Sequence, residues 1–154
     1  MQTIFITFMG TTTYNRANYH IDNDIYTGHF GTIAQIKNIA KPNEFNKVYC
    51  VVTDQVIDEN LLTPDQQPEY PEGWDRSLPK PNNYEYFKKE IAGLVDNGRH
   101  LIKNIGRLKI DINSSGLDFY NKLNTNILSK IDPSEEIVLH IDTTNCFRSL
   151  PQTM

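Results

Sequence analysis

No run of lysine or arginine longer than the pair Lys88-Lys89 occurs in the 154-residue sequence. With 15 basic against 19 acidic residues the formal net charge is −4, so the electrostatic footprint of a duplex nucleic-acid binder is missing. A small anion remains within reach of such a chain, because backbone N–H groups supply a local positive field without a basic surface. Cysteine is scarce. Cys50 and Cys146 are the two present, each beside an expected strand end and both expected to be reduced, as in a cytoplasmic protein. No Cys/His pairing has zinc-site spacing, so no metal site is expected. No apolar run approaches membrane-spanning length, and the opening Met1 to Met9 stretch lacks the basic flank of a signal peptide. No membrane contact and a cytoplasmic location are therefore expected. The chain also lacks G-x-G-x-x-G, a P-loop and G-x-S-x-G. Their absence implies no cofactor, and it leaves an unrelated nucleotide binder or hydrolase supported by fold analogy alone.

What is present is the pattern of a packed domain. Hydrophobic residues make up 38% of the chain and charged residues 22%, enough apolar content to exclude disorder by composition. Thr3 to Met9 (TIFITFM) and Lys47 to Thr53 (KVYCVVT) are nearly continuous apolar runs, the mark of strands buried on both faces of a parallel sheet. Between them, the alternation from Tyr14 to Phe30 about Asp22-Asn23-Asp24 predicts a small hairpin. Ile33, Ile36 and Ile39 predict a helix that Pro42 would stop.

Beyond the second strand, residues 61 to 83 carry prolines at 64, 68, 71, 79 and 81 and read as a surface excursion pinned by Trp74. Tyr84 to Asn104 reads as a helix with a break near Gly98, and Leu108 to Ile112 as a short strand. Asn113 to Gly116 reads as a turn. Leu117 to Ile131 reads as an amphipathic helix with Leu117, Tyr120, Leu123, Ile127, Leu128 and Ile131 on its buried face. Glu136 to Asp142 (EIVLHID) is the last expected strand. The sum is an α/β domain, Rossmann-like, with a mostly parallel sheet flanked by helices and an early β-hairpin insertion.

Ligands of open parallel sheets bind outside the carboxyl ends of the strands. Four expected strand ends therefore matter: Gly10 to Thr13, Thr53-Asp54, Asn113 to Gly116, and Asp142 to Asn145. All four are rich in hydroxyl, amide or glycine residues, which offer hydrogen bonds and close backbone approach. The same residues also collect at such turns merely to cap helices, so the pattern points to a polar cleft without naming its ligand.

The segment Val138 to Pro151 (VLHIDTTNCFRSLP) resembles the D-x-T-H-G-F-R-S-L-P stretch of CRISPR-associated Rossmann-fold (CARF) proteins of the DxTHG-motif subfamily. Asp142, Thr144, Phe147, Arg148, Ser149, Leu150 and Pro151 match it. Phe5 to Thr11 with Tyr14 and Tyr19 is similar to the first strand, glycine loop and hairpin of that family, and Lys47 to Thr53 to its second strand. The resemblance implies a single CARF-like domain over residues 1 to 154, incomplete at its C-terminus. It implies a homodimer that holds a cyclic oligoadenylate, tetra-adenylate by preference, in the cleft between protomers. Carried over, the ligand-binding residues are Gly10, Thr11, Thr12, Tyr14 and Thr53 from the first strands, and Asp142, Thr143, Thr144, Asn145 and Arg148 from the motif. Arg148 can pair with Asp142 to hold the loop or reach a phosphate, and the structural role is preferred.

Asn145 stands where the family carries histidine, and Cys146 where it carries glycine. Asparagine hydrogen-bonds but does not titrate, so any proton transfer by that histidine is lost. No catalytic residue is assigned. The effector nuclease of the family needs a more widely spaced arginine and histidine than Arg16 and His20, so no effector domain is expected. The resulting expectation is a sensor domain that binds cyclic oligoadenylate in type III CRISPR antiviral defence. The alternative is a ring nuclease, in which the RNA 2′-hydroxyl attacks the neighbouring phosphate with positioning alone as catalysis.

Overall fold

A computed structural model describes residues 2–40, 44–96, 98–111 and 113–142. The apolar runs form a four-stranded sheet. Its strands are β1 (Gln2–Phe8), β4 (Phe45–Val52), β7 (Asn104–Lys109) and β8 (Ile137–Asp142). The order across the sheet is β7-β4-β1-β8, and all three pairings are parallel. The mixed α/β reading holds, with the expected hairpin formed by β2 (Ala17–Ile21) and β3 (Asp24–Gly28).

Two apolar cores explain the layering. On one face, Phe5, Val48, Cys50 and Val52 pack against Ile33 and Ile36 of α1 (Gly31–Ile39) and Phe87 and Ile91 of α3 (Asn83–Ala92). On the other, Ile4, Ile6, Phe8 and Val51 pack against Phe119, Leu123 and Ile127 on and just beyond α4 (Gly116–Asn126). Each fully buried isoleucine or phenylalanine contributes about 1.5–3 kcal/mol by leaving water. The chain thus crosses on one face from β1 to β4 to β7, then on the other from β7 to β8. The direction of winding reverses between the adjacent strands β1 and β8, which opens a crevice at their carboxyl ends.

Several expectations are corrected. The helix read over Tyr84 to Asn104 ends at Ala92. Its second half is a two-stranded ribbon, β5 (Val95–Asp96) with β6 (Arg99–His100), turned at Gly98, whose φ is +77. Glycine alone adopts that angle without strain. The strand read from Leu108 begins earlier, at Asn104, and Ile112 lies outside the described residues. In α4 the buried face is Gly116, Phe119 and Leu123, whereas Leu117 is 66% and Tyr120 57% exposed. Ser115 sets this register. Its side chain accepts from the Asp118 N–H while the Asp118 carboxylate accepts from the Ser115 N–H, so the helix starts at Gly116 and turns Phe119 inward. The 61–83 excursion adds a short helix before it, α2 (Asp54–Ile57). Trp74 does tie it down, edge-on to Tyr86 of α3 with ring centroids 5.5 Å apart.

Cys50 is buried in the sheet, and burial pushes its thiol up from the usual range. Cys146 and Pro42 lie outside the described residues. Among the described residues no helix is long and apolar enough to cross a membrane.

Candidate ligand crevice

The β1/β8 crevice is built by residues far apart in sequence. Register places Thr7 of β1 beside Asp142 of β8. Thr32, in the first turn of α1, lies over this pair: its hydroxyl shares a hydrogen bond with the Thr7 hydroxyl at 3.1 Å and donates to the Asp142 carboxylate. One threonine thereby fastens the first strand, the last strand and a helix start at a single point. No acidic residue stands in the first turn of α1 and Phe30, which precedes it, offers no side-chain cap; the Asp142 carboxylate, reached through Thr32, supplies the negative charge at this helix start.

The turn after β1 is held just as specifically. Met9 N–H donates to Val51 of β4, extending the ladder by one residue. Gly10 N–H then donates to the Tyr14 hydroxyl at 3.0 Å. The Asn83 amide at the start of α3 donates to both the Gly10 and Thr12 carbonyls, each at 2.9 Å. Thr13 accepts from the Glu69 N–H of the long excursion. Burial holds the Tyr14 phenol protonated by raising its pKa, against the opposing pull of the Gly10 hydrogen bond, and its ring packs on Phe30 at 4.8 Å.

A cleft of about 580 Å³ opens here, lined by Tyr14, Thr32, Gln35 and Asp142 and walled by the hairpin residues Asn18 to Ile21. The volume suits a ligand-sized occupant. Tyr19 lies so close over the helix start that a Cβ on Gly31 would sit 3.0 Å from its ring. Among the described residues no lysine or arginine lines this cleft. Recognition by these residues therefore rests on hydroxyl and amide hydrogen bonds, the His20 imidazole and one carboxylate acceptor, chemistry suited to sugar hydroxyls and base edges.

The sequence-derived residues fall into four groups. Tyr14 and Asp142 meet in the cleft. Gly10, Thr11 and Thr12 form the adjoining turn at the same edge of the sheet, held by Tyr14 and Asn83. Thr53 ends β4 and starts α2 but is only 4% exposed and does not line the cleft. Thr143, Thr144, Asn145 and Arg148 lie outside the described residues. The Asn113 to Gly116 turn follows β7, the strand farthest from β8, and its Ser115 serves as a helix cap. Among the described residues no group of three or more His, Cys, Asp or Glu side chains could hold a metal ion.

Thr32 and Asn83 escaped the sequence reading. A signal existed for each: Thr32 follows glycine at a predicted helix start, and Asn83 is the second of two asparagines before a helix, where one suffices as a cap. Replacing Thr32 with valine keeps its shape but removes the hydroxyl that joins Thr7 to Asp142. The expected result is a loss of about 2 kcal/mol in unfolding free energy, measured in urea, because a hydrogen bond to a carboxylate is among the stronger ones. A change below about 0.5 kcal/mol would show that the fastening is not used.

A family model described as CRISPR system endoribonuclease Csx1, CARF domain, matches residues 4–154. No curated protein matches the chain significantly, and no solved structure does.

Proposed function

The chain belongs to the CARF domain family of the CRISPR endoribonuclease Csx1, and from that premise we propose that its β1/β8 crevice binds a cyclic oligoadenylate second messenger, cyclic tetra-adenylate by preference, and serves as a sensor in type III CRISPR defence. One observation carries the reading: the glycine-threonine turn after β1 and Asp142 at the tip of β8 share one edge of the sheet, at the point where winding reverses. Had they lain at opposite ends, no shared pocket would exist.

In this reading two copies of the chain face each other across the crevice. A ring with two-fold symmetry then meets the same residues twice. Asp142 accepts from a ribose hydroxyl or an adenine amine, and Thr32 and Tyr14 orient the carboxylate and the turn. The sensing role needs no proton transfer, which agrees with the absence of histidine at position 145.

The test is incubation with radiolabelled cyclic tetra-adenylate, with cyclic hexa-adenylate in parallel. Retention of an intact tetra-adenylate ring by a dimeric species, weakened at least tenfold in Asp142→Ala, is the expected outcome. Linear product would make the domain a ring nuclease instead of a pure sensor. Equal retention by the Asp142→Ala protein would remove the crevice from the reading altogether.

A further inference from the structure

A second cleft, of about 470 Å³, lies where the end of β3 meets α3 and the long excursion. It shares no lining residue with the β1/β8 crevice, and nothing in the sensing role uses it.

Its floor is a built network. Glu90 of α3 accepts from the Tyr26 hydroxyl at 2.6 Å and from the His29 backbone N–H at 2.9 Å, and its second oxygen lies 3.3 Å from His29 Nδ1. Burial first, and then the Glu90 carboxylate, push the Tyr26 phenol up, so it stays protonated and donates. The Tyr86 hydroxyl contacts the same Nδ1 at 3.0 Å. The Glu90 carboxylate thus accepts from the Tyr26 hydroxyl and the His29 N–H, with the His29 ring beside it, before any ligand is considered.

The walls differ in character. Trp74 lies edge-on to Tyr86, and the Lys89 ammonium sits 4.4 Å from its ring centre. Trp74 Nε1 and His29 Nε2 are both buried with no hydrogen-bond partner among the described residues, a costly condition for polar groups in a folded protein. Lys89 and Arg16, which also lines the cleft, form no ion pair among the described residues. Aromatic walls, two cations outside any ion pair among the described residues, one of them seated on the Trp74 ring, and two unsatisfied ring nitrogens point to one chemistry: a planar ring joined to a phosphate. A carboxylate ligand would use the cations but not the walls, and an apolar ligand the reverse.

We propose that this cleft is a separate site for a nucleoside monophosphate, with the phosphate on Lys89 and Arg16 and the base against the Trp74–Tyr86 wall. The proposal stands independently of oligoadenylate binding in the first crevice.

Trp74 is the sole tryptophan of the chain, so its emission reports from inside the cleft. The full chain is titrated with adenosine monophosphate, with adenosine and with inorganic phosphate, followed by fluorescence and by calorimetry. The expected result is saturable binding of the monophosphate, at least tenfold weaker binding of adenosine and of phosphate, and at least a tenfold loss in Lys89→Met and in Arg16→Met. Circular dichroism establishes that both variants are folded, and both retain labelled cyclic tetra-adenylate like the parent if that ligand binds at all. No saturable response to the monophosphate overturns the proposal. So does unchanged affinity in both variants, phosphate binding as tight as the monophosphate, or competition between the monophosphate and the cyclic ring.

Discussion

Replacing Asn83 with aspartate is expected to lower unfolding free energy by about 2–4 kcal/mol and to weaken cyclic oligoadenylate binding more than tenfold. The substitution is nearly isosteric, and at the start of a helix an acidic side chain is favoured by the backbone dipoles. Everything local to α3 therefore tolerates it. The cost arises at the other end of the contact. The Asn83 amide donates to the carbonyls of Gly10 and Thr12 at 2.9 Å, and aspartate presents an oxygen to those same two oxygens. Two hydrogen bonds of about 1 kcal/mol each are replaced by repulsion between acceptors in a site where Asn83 is only 9% exposed. The turn must move away, and with it the edge of the ligand crevice. Asn82→Asp is the control. It keeps the acceptor that caps Glu85 N–H and loses only the donor to the Ile57 carbonyl, so about 1 kcal/mol and unchanged ligand affinity are expected. Equal behaviour of the two variants in urea denaturation and in a ring-binding assay would show that Asn83 is an ordinary helix-start residue.

The contrast between these neighbouring asparagines marks where sequence reasoning stops. Strands β1, β4 and β8 were legible because each is a short apolar run, whereas β7 (NIGRLK) is not one and its reading from Leu108 started too late. Burial on both faces of β1 leaves Ile4, Ile6 and Phe8 on one side and Phe5 and Met9 on the other, and such a run resembles little else. The hairpin was legible from alternation about Asp22 to Asp24. Asp142 and Tyr14 were legible from strand ends together with a motif. The face of α4 was legible in and just beyond its second half, where Leu123 and Ile127 are buried and Leu128 and Ile131 pack on the same core, but not in its first turns: Leu117 with Tyr120 and Phe119 fit the spacing to Leu123 about equally well, and only packing on the sheet selects Phe119. The β5–β6 ribbon was missed although Asn97-Gly98 is a strong hairpin signal, since the flanking strands have only two residues each. Thr32 and Asn83 were beyond reach for a different reason. Their partners lie 110 and 73 positions away, at Asp142 and Gly10, and the strand order that brings these segments together is a property of topology that no local pattern carries.

Gly28→Ala is expected to be the most destabilising methyl group that can be added to the hairpin, at about 2–4 kcal/mol. Gly28 ends β3, and a Cβ there would lie 2.0 Å from Glu90 Oε1 and 2.7 Å from the Tyr26 hydroxyl. The far end of a glutamate ordinarily swings aside at little cost. This one is held by the Tyr26 hydroxyl, the His29 N–H and the His29 ring, so moving it breaks several charge-assisted bonds at once and leaves a buried His29, 6% exposed, without its carboxylate. In a Glu90→Ala background the nearest obstruction and its bonds are gone, leaving Tyr26, released from its bond to Glu90, as the remaining close contact, and the added methyl should then cost at least about 1 kcal/mol less than in the parent. A double-mutant cycle in urea measures this coupling directly. Additive losses would mean that the alanine disturbs the β2–β3 ribbon itself, for example through Tyr26 alone, and that Gly28 is not the opening through which Glu90 reaches the hairpin. The same cycle bears on the second cleft, whose floor is this network. If Glu90 is fixed only because Gly28 lacks a side chain, the orientation of His29 and Tyr26 in that cleft depends on one hydrogen atom at position 28.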